Sequence, residues 1–303
     1  MKYAPRSWWV RGASVLRRRF GLALALMLFL ASCSLMRLAY YHVDAWLLSE
    51  VESYVALDAG QRDWLAERLR AHHAWHCRTQ LPSYVEWLGA LQGQIDAPNS
   101  AQIQALFQQL ESFIDALLAE FAPTLAELLL RLSPAQRAEL FARLDQDLVE
   151  ARTKYLAPPP EERQRERAKR LEKRLKPWMG DPTPQQVARI RQWSVAMDGQ
   201  SGWLTNRQRL LDAVREVLAR PDTGGARRQL VGLFQTPATV RTADYAREVV
   251  HARAEAVILT TDLLRLATGS QRKQLQERID GLRTDFRALS CAGSATVATT
   301  YFE

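Results

Sequence analysis

Apolar residues recur at helical spacing along nearly the whole chain after residue 34. Leu140, Phe141 and Leu144 make one such stripe, and Leu275, Ile279 and Leu282 make another. Sustained period-two alternation is lacking, and so is any Asn-Gly or Asp-Gly hairpin between alternating runs. Many stripes follow the same start signal. Asp58, Asn99, Ser133, Thr183 and Thr268 each stand three residues before a glutamine: Gln61, Gln102, Gln136, Gln186 and Gln271. A short polar side chain at that point accepts a hydrogen bond from the third helical amide, and the glutamine can reach back to the capping residue. Pro134 and Pro184 occupy the first helical position, where no intrahelical N–H is needed.

These starts and stripes predict helices over 36–56, 60–94, 100–131, 134–156, 161–176, 184–218, 224–235, 238–267 and 269–290. Pro82 and Pro123 should break or kink the second and third, and Gly199–Gly202 should split the sixth. Successive caps lie 41, 34, 50 and 85 residues apart, which is no solenoid period. The expected fold class is all-α, as a multi-helix bundle or a bent array of helical hairpins. Pro158-Pro159-Pro160 is a stiff connector that divides a region 33–157 from a region 158–290, unless the two form one continuous domain. Residues 291–303 read as a small-residue tail.

The first 33 residues carry a different pattern. Lys2, Arg6, Arg11, Arg17, Arg18 and Arg19 form a basic stretch without acids, followed by 11 apolar residues from Phe20 to Leu30 and then Leu30-Ala31-Ser32-Cys33. The apolar run is too short for a spanning helix, which needs about 20 residues. The order of basic, apolar and small-residue segments is that of an export signal. With cysteine following the small residues, it resembles the lipobox of bacterial lipoproteins. That resemblance implies removal of 1–32, lipid attachment at Cys33 and, with Ser34 behind it, an outer-membrane location facing the periplasm.

Removing the signal changes the charge. The whole chain is +8, whereas residues 34–303 hold 35 Lys+Arg against 33 Asp+Glu. The high isoelectric point is therefore partly an export feature, and nucleic acid is not an expected partner. Beyond Cys33 the cysteines are Cys77 and Cys291. They either pair, closing a loop of over 200 residues, or stay as two separate thiols, one of them buried.

Two family resemblances bear on the body. Leu132-Ser-Pro-Ala-Gln-Arg137 and Leu57-Asp-Ala-Gly-Gln-Arg62 are similar to the LTxxQ motif of the Spy/CpxP periplasmic proteins. Those are all-helical chaperones or stress-linked adaptors about half this length. More of the chain resembles a family of proteobacterial predicted lipoproteins of unknown function. That resemblance is carried by the lipobox, by Leu35-Met-Arg-Leu-Ala-Tyr-Tyr41, by the aromatic helix to Tyr54 and by Trp75-His-Cys-Arg-Thr-Gln-Leu-Pro-Ser-Tyr84. It implies location and helical fold but no activity.

Candidate chemistry is sparse. His72, His73, His76 and Cys77 are the one dense group of potential metal ligands. On a helix, His72 shares a face with His76 and His73 with Cys77, so two ligands can meet one ion, short of the three or four that zinc needs. The glutamate of HExxH is missing. Glu161–Lys176 holds eight basic and four acidic residues with i,i+4 pairs such as Glu166/Arg170. It reads as a solvated helix with a thin apolar stripe, or as a basic ridge for an anionic surface. Seven tryptophans follow Cys33, four of them within residues 46–87, where core packing is the first reading and the bilayer interface the second. The chain lacks GxSxG, P-loop, GxGxxG and paired CxxC motifs.

The expectation is a non-enzymatic envelope lipoprotein without a cofactor, working as an adaptor or chaperone-like binder. Its partners would be the membrane, through the lipid, and an envelope protein. The alternatives are an enzyme or metal-binding protein using the 72–77 cluster, and a structural tether.

Overall fold

Four of the five expected helix starts close as full capping boxes, with cap side chain and glutamine each bonded to the other's backbone N–H. The computed structural model describes residues 33–220 and 225–291. The expected signal peptide and nearly all of the expected tail lie outside them. Among the described residues there are eleven α-helices, one 3-10 turn and no strand, so the fold is all-α. In chain order the helices are α1 (Cys33–Tyr41), α2 (Val43–Glu52), α3 (Ala59–Gln92), α4 (Ser100–Arg131), α5 (Pro134–Tyr155) and α6 (Pro160–Met179). Then come α7 (Pro184–Ala196), α8 (Gly202–Leu218), α9 (Ala226–Gln235), α10 (Ala243–Arg265) and α11 (Gly269–Leu289), with the 3-10 turn at Pro237–Val240.

The fifth start differs in one detail. Asn99 accepts from the amides of Ala101 and Gln102, but Gln102 does not reach back. Gln94 does so instead: its Oε1 accepts from the Asn99 N–H at 3.0 Å, and its Nε2 donates to Gln102. Pro82 and Pro123 do not interrupt their helices, since α3 and α4 run through them for 34 and 32 residues. Each proline removes one backbone donor, and packing on both sides holds the helix through the gap. Leu81 and Tyr84 are buried beside Pro82, as are Ala122, Thr124 and Ala126 around Pro123. The expected split between Gly199 and Gly202 is present, with Gly199 at φ 77° in the left-handed region. The expected first helix is divided at His42 into α1 and α2.

The long helices α3 and α4 form the spine. α2 and α11 pack along α3, α9 and α10 along α4, α6 and α7 against each other, and α5 against α8. The elements before and after Pro158–Pro160 are thus packed together. The core is divided among several clusters. One joins Leu81, Leu88 and Ile95 to Ile279 and Phe286. Another joins Leu48, Leu65 and Leu69 to Leu128 and Leu132. Ala168 on the thin stripe of α6 buries against Ile190, Leu259 and Leu263, which docks that charged helix on the body.

The box glutamines also meet each other in pairs. Gln61 Nε2 donates to Gln136 Oε1 at 3.0 Å, and Gln136 Nε2 donates back to Gln61 Oε1 at 2.8 Å. Gln186 and Gln271 do the same at 3.0 Å in both directions. Each second amide proton goes to a backbone carbonyl: Gln61 to Arg131, Gln136 to Ala56, Gln186 to Leu263 and Gln271 to Asp181. Every donor and acceptor of the four side-chain amides is therefore used.

Removing one member of a pair leaves buried polar groups unpaired, at a cost of about 1–3 kcal/mol. Gln186, 1% exposed, should show this most clearly. Gln186→Leu and Gln271→Leu should each lower the urea midpoint, and the double variant should lose less than the sum of the two. Additive losses in that double-mutant cycle would mean the pair does not act as a unit.

Candidate binding cleft and histidine cluster

The four side chains of the 72–77 cluster fan out to different neighbours. His72 turns to α4, where Nδ1 lies 2.8 Å from Glu120 Oε1 and Nε2 2.8 Å from Thr124 Oγ1. Its ring stacks on Phe121 at 4.3 Å. The ring is thus bonded at both nitrogens, with the donor and acceptor roles set by its tautomer. This is the order of groups in an acyl-transfer triad, but His72 and Thr124 are 6% and 8% exposed and out of a substrate's reach. His73 and His76 turn to α1. The Tyr40 ring meets His73 edge-on at 4.6 Å, and the Tyr40 hydroxyl lies 3.0 Å from His76 Nδ1. Cys77 is joined to Cys291 in a disulfide with Cα atoms 5.3 Å apart and a sequence separation of 214. Its sulfur is therefore not a thiolate ligand. Among the described residues no three His, Cys, Asp or Glu side chains converge as a metal site. His42 separates α1 from α2, and His251 meets the Ala196 carbonyl at 3.2 Å. Cys33 begins α1.

Burial governs the titration of this group. It pushes His76 down to about 4, with the neighbouring His73 adding to the effect. His73 is also lowered, by burial first, against the opposing charge of Asp44. Burial raises Tyr84 to about 12 and also raises Tyr40, with Tyr84 adding to the latter.

A cleft of about 600 Å³ lies elsewhere, between α6 and α10. Positions 245, 248, 249, 252, 253 and 256 share one face of α10, and 163, 166, 167 and 170 share one face of α6. Ala252 and Ala256 are small, which leaves the space open. Lys154 and Tyr155 at the end of α5 form one end, and Met197, Gln200 and Trp203 at the α7–α8 junction form another side. Tyr155 and Trp203 meet edge to face at 5.9 Å. Gly202 sits where a Cβ would lie 2.9 Å from the Glu248 carboxylate, and its N–H donates to that carboxylate at 3.0 Å. A side chain at this position would have to push the Glu248 carboxylate and the Tyr245 ring edge aside.

The electrostatics of the cleft centre on α6. Asp198 accepts from Arg163 at 3.1 and 3.2 Å and from Gln164 at 3.2 Å. Its burial acts upward, but these hydrogen bonds and the charge of Arg163 hold its carboxyl below the ordinary range. Arg167 donates to the Ser194 carbonyl at 2.6 Å and lies 3.8 Å from the same Asp198. Burial lowers the Arg167 guanidinium, Asp198 opposes this, and Arg170 and Arg163 add to it. The Glu161–Lys176 stretch is thus a solvated helix on one side and a row of guanidinium groups lining a cleft on the other. Its period placed Arg163, Arg167 and Arg170 on one face, but nothing local pointed to Asp198, Tyr155 or Trp203 as their neighbours.

A model of the family DUF6279, described as a family of unknown function, matches residues 53–246, more than half of the chain. The chain belongs to DUF6279. No curated protein and no solved structure matches it. The DUF6279 match holds α3 to α9 whole and stops at the start of α10, so Gln271, Cys291 and most of the α10 wall lie beyond it.

His76 gives this DUF6279 member a pH dependence of known sign. Its proton is bound less well in the folded chain, so stability should fall as pH drops from about 6.5 towards 4, by at most about 1.4 kcal/mol per pH unit for one site. His76→Phe should flatten this slope in urea titrations at pH 5 and pH 7.5, without removing the smaller share from His73. An unchanged slope would place the pH sensitivity elsewhere.

Proposed function

We propose that this DUF6279 member is a lipoprotein of the bacterial envelope, attached through Cys33 and working by binding rather than by catalysis. The observation that carries the binding reading is the cleft: a concave surface of about 600 Å³ with aromatic walls and a basic face. Such volumes and linings are typical of sites for other molecules. The reading of an adaptor or chaperone-like protein also draws support from the Spy/CpxP-like motif at Leu132–Arg137.

Attachment rests on the basic stretch, the apolar run and Leu30-Ala31-Ser32-Cys33. The residues that follow Cys33 support it. Leu38, Tyr41 and Trp46 are 55%, 64% and 41% exposed, whereas Tyr40 between them is buried. Aromatic and aliphatic groups left in water beside an acyl anchor suit the bilayer interface. No described helix is long and apolar enough to cross a membrane. An acylated cysteine needs none, because two or three chains on one residue give lasting attachment. Ser34 behind the cysteine favours the outer membrane, facing the periplasm of a proteobacterial cell.

Two measurements test the two parts. Cys33→Ala should abolish palmitate labelling in cells, and persistent labelling would sink the anchor. For binding, a photo-crosslinking residue at Met197 in the cleft should give discrete adducts in intact cells, and one at the exposed Ile114 should not. Equal adducts from both sites, or none from Met197, would remove the cleft from the function.

A further inference from the structure

We propose that the cleft takes a single-chain anionic amphiphile, with its acidic head at the α6 arginines and its apolar body along Tyr155 and Trp203. This deepens the binding reading above and rests on it. Charge favours an acidic head. Four carboxylates line the cleft, but two of them are committed to its walls. Glu111 holds Arg253 through two contacts, one at 2.5 Å, and Glu248 accepts from the Gly202 N–H. Glu162 and Glu166 lie on the exposed rim, where Glu166 reaches Lys169 at 4.0 Å. Deeper in, Arg163 and Arg167 share one carboxylate, Asp198, with side chains about one-fifth exposed. Lys154 and Arg170 stand beside them over the Tyr155 ring, 5.7 and 5.8 Å from its centroid. Cations crowded in a partly desolvated wall attract an anion more strongly than the same cations in water.

An open hydrogen-bond donor points the same way. Gln200 lines the same cleft, and its buried Nε2 has no partner among the described residues. Buried amide nitrogens are ordinarily bonded, so this one suits an acceptor oxygen brought by a ligand. The remaining surface is apolar. Phe107, Leu156, Met197, Trp203 and Val249 line the cleft with Tyr155, and Ala252 and Ala256 leave room beside them. A carboxylate or phosphate on a flexible apolar chain satisfies all three features. A neutral amphiphile brings no charge to the cluster of cations, and a small inorganic anion leaves the aromatic wall in water.

The test uses the full chain in its membrane and an alkyne-tagged palmitate bearing a diazirine. Adducts should map to the peptides around Tyr155 and Met197–Trp203. Oleate or lysophosphatidate should compete at least about tenfold better than oleyl alcohol, the difference expected for one charge-assisted hydrogen bond. Whichever acid competes better distinguishes a carboxylate from a phosphate source. Ala252→Trp, which fills the cleft, should cut this labelling about tenfold or more with an unchanged melting curve, and Lys154→Glu on the exposed rim should weaken it several-fold. Labelling confined to α1 and α2, equal competition by oleyl alcohol, or indifference to both variants would overturn the proposal. If protein adducts from Met197 persist without lipid labelling, only the ligand class falls. If both are absent, the binding reading falls with it.

Discussion

Two cyclic amide pairs fix how the helices of this chain can be arranged. In each pair a glutamine oxygen accepts from its own cap N–H and from the partner's amide, as Gln61 Oε1 does from Asp58 and Gln136. Each nitrogen donates to the partner and to a carbonyl just upstream of the partner's helix, as Gln271 does to Asp181. A helix start is thereby bonded to another helix start and to the chain leading into it. The first pair ties the beginning of α3 to the α4–α5 corner, and the second ties the beginning of α7 to the α10–α11 corner. Three of the four carbonyls lie five residues before the partner glutamine, so the device has an approximate two-fold symmetry and occurs twice. Because every valence is filled, a shift of one helix by a turn would strand several buried polar groups at once.

The disulfide acts on a larger scale. It joins α3 to the end of α11 across 214 residues of chain, a closure that removes roughly 5 kcal/mol of unfolded-state entropy in the loop model. Around it Tyr40, His76, Tyr84, Phe113 and Phe286 pack as an aromatic group from α1, α3, α4 and α11. This group packs α1 against the body through Tyr40, while Leu38, Tyr41 and Trp46 stay on the outside.

What could be read from the sequence divides along physical lines. Helix starts were legible because a cap and its glutamine lie three residues apart and the bond between them is local. The partner of each glutamine was not, since 75 and 85 residues separate Gln61 from Gln136 and Gln186 from Gln271. Of the break or kink that local backbone chemistry predicts at prolines 82 and 123, the break does not occur, because burial on both sides carries the helix through. The spacing of His72, His73, His76 and Cys77 was correct for a shared helix face but carried no information on which helix each face would meet. The cleft was least legible of all. Its walls come from five helices, and only the period of the α6 arginines hinted that one face was basic.

Crowded cations beside an open donor, more than residue type, mark the candidate site. In the histidine cluster three of the four side chains are already engaged. His72 is bonded at both ring nitrogens, His76 is held to Tyr40 as a neutral ring, and Cys77 is a half-cystine. Groups fully satisfied within the chain stabilise it and have nothing left to offer a ligand. The cleft has the opposite character: two guanidinium groups divide one carboxylate, a buried amide nitrogen has no described partner, and aromatic rings face a space that small residues keep open. Such an arrangement costs folding energy when empty, since desolvated cations and an unpaired donor are both unfavourable. A molecule that brings an acceptor oxygen and a negative charge would meet there both the open Gln200 donor and a cluster of cations that share one carboxylate.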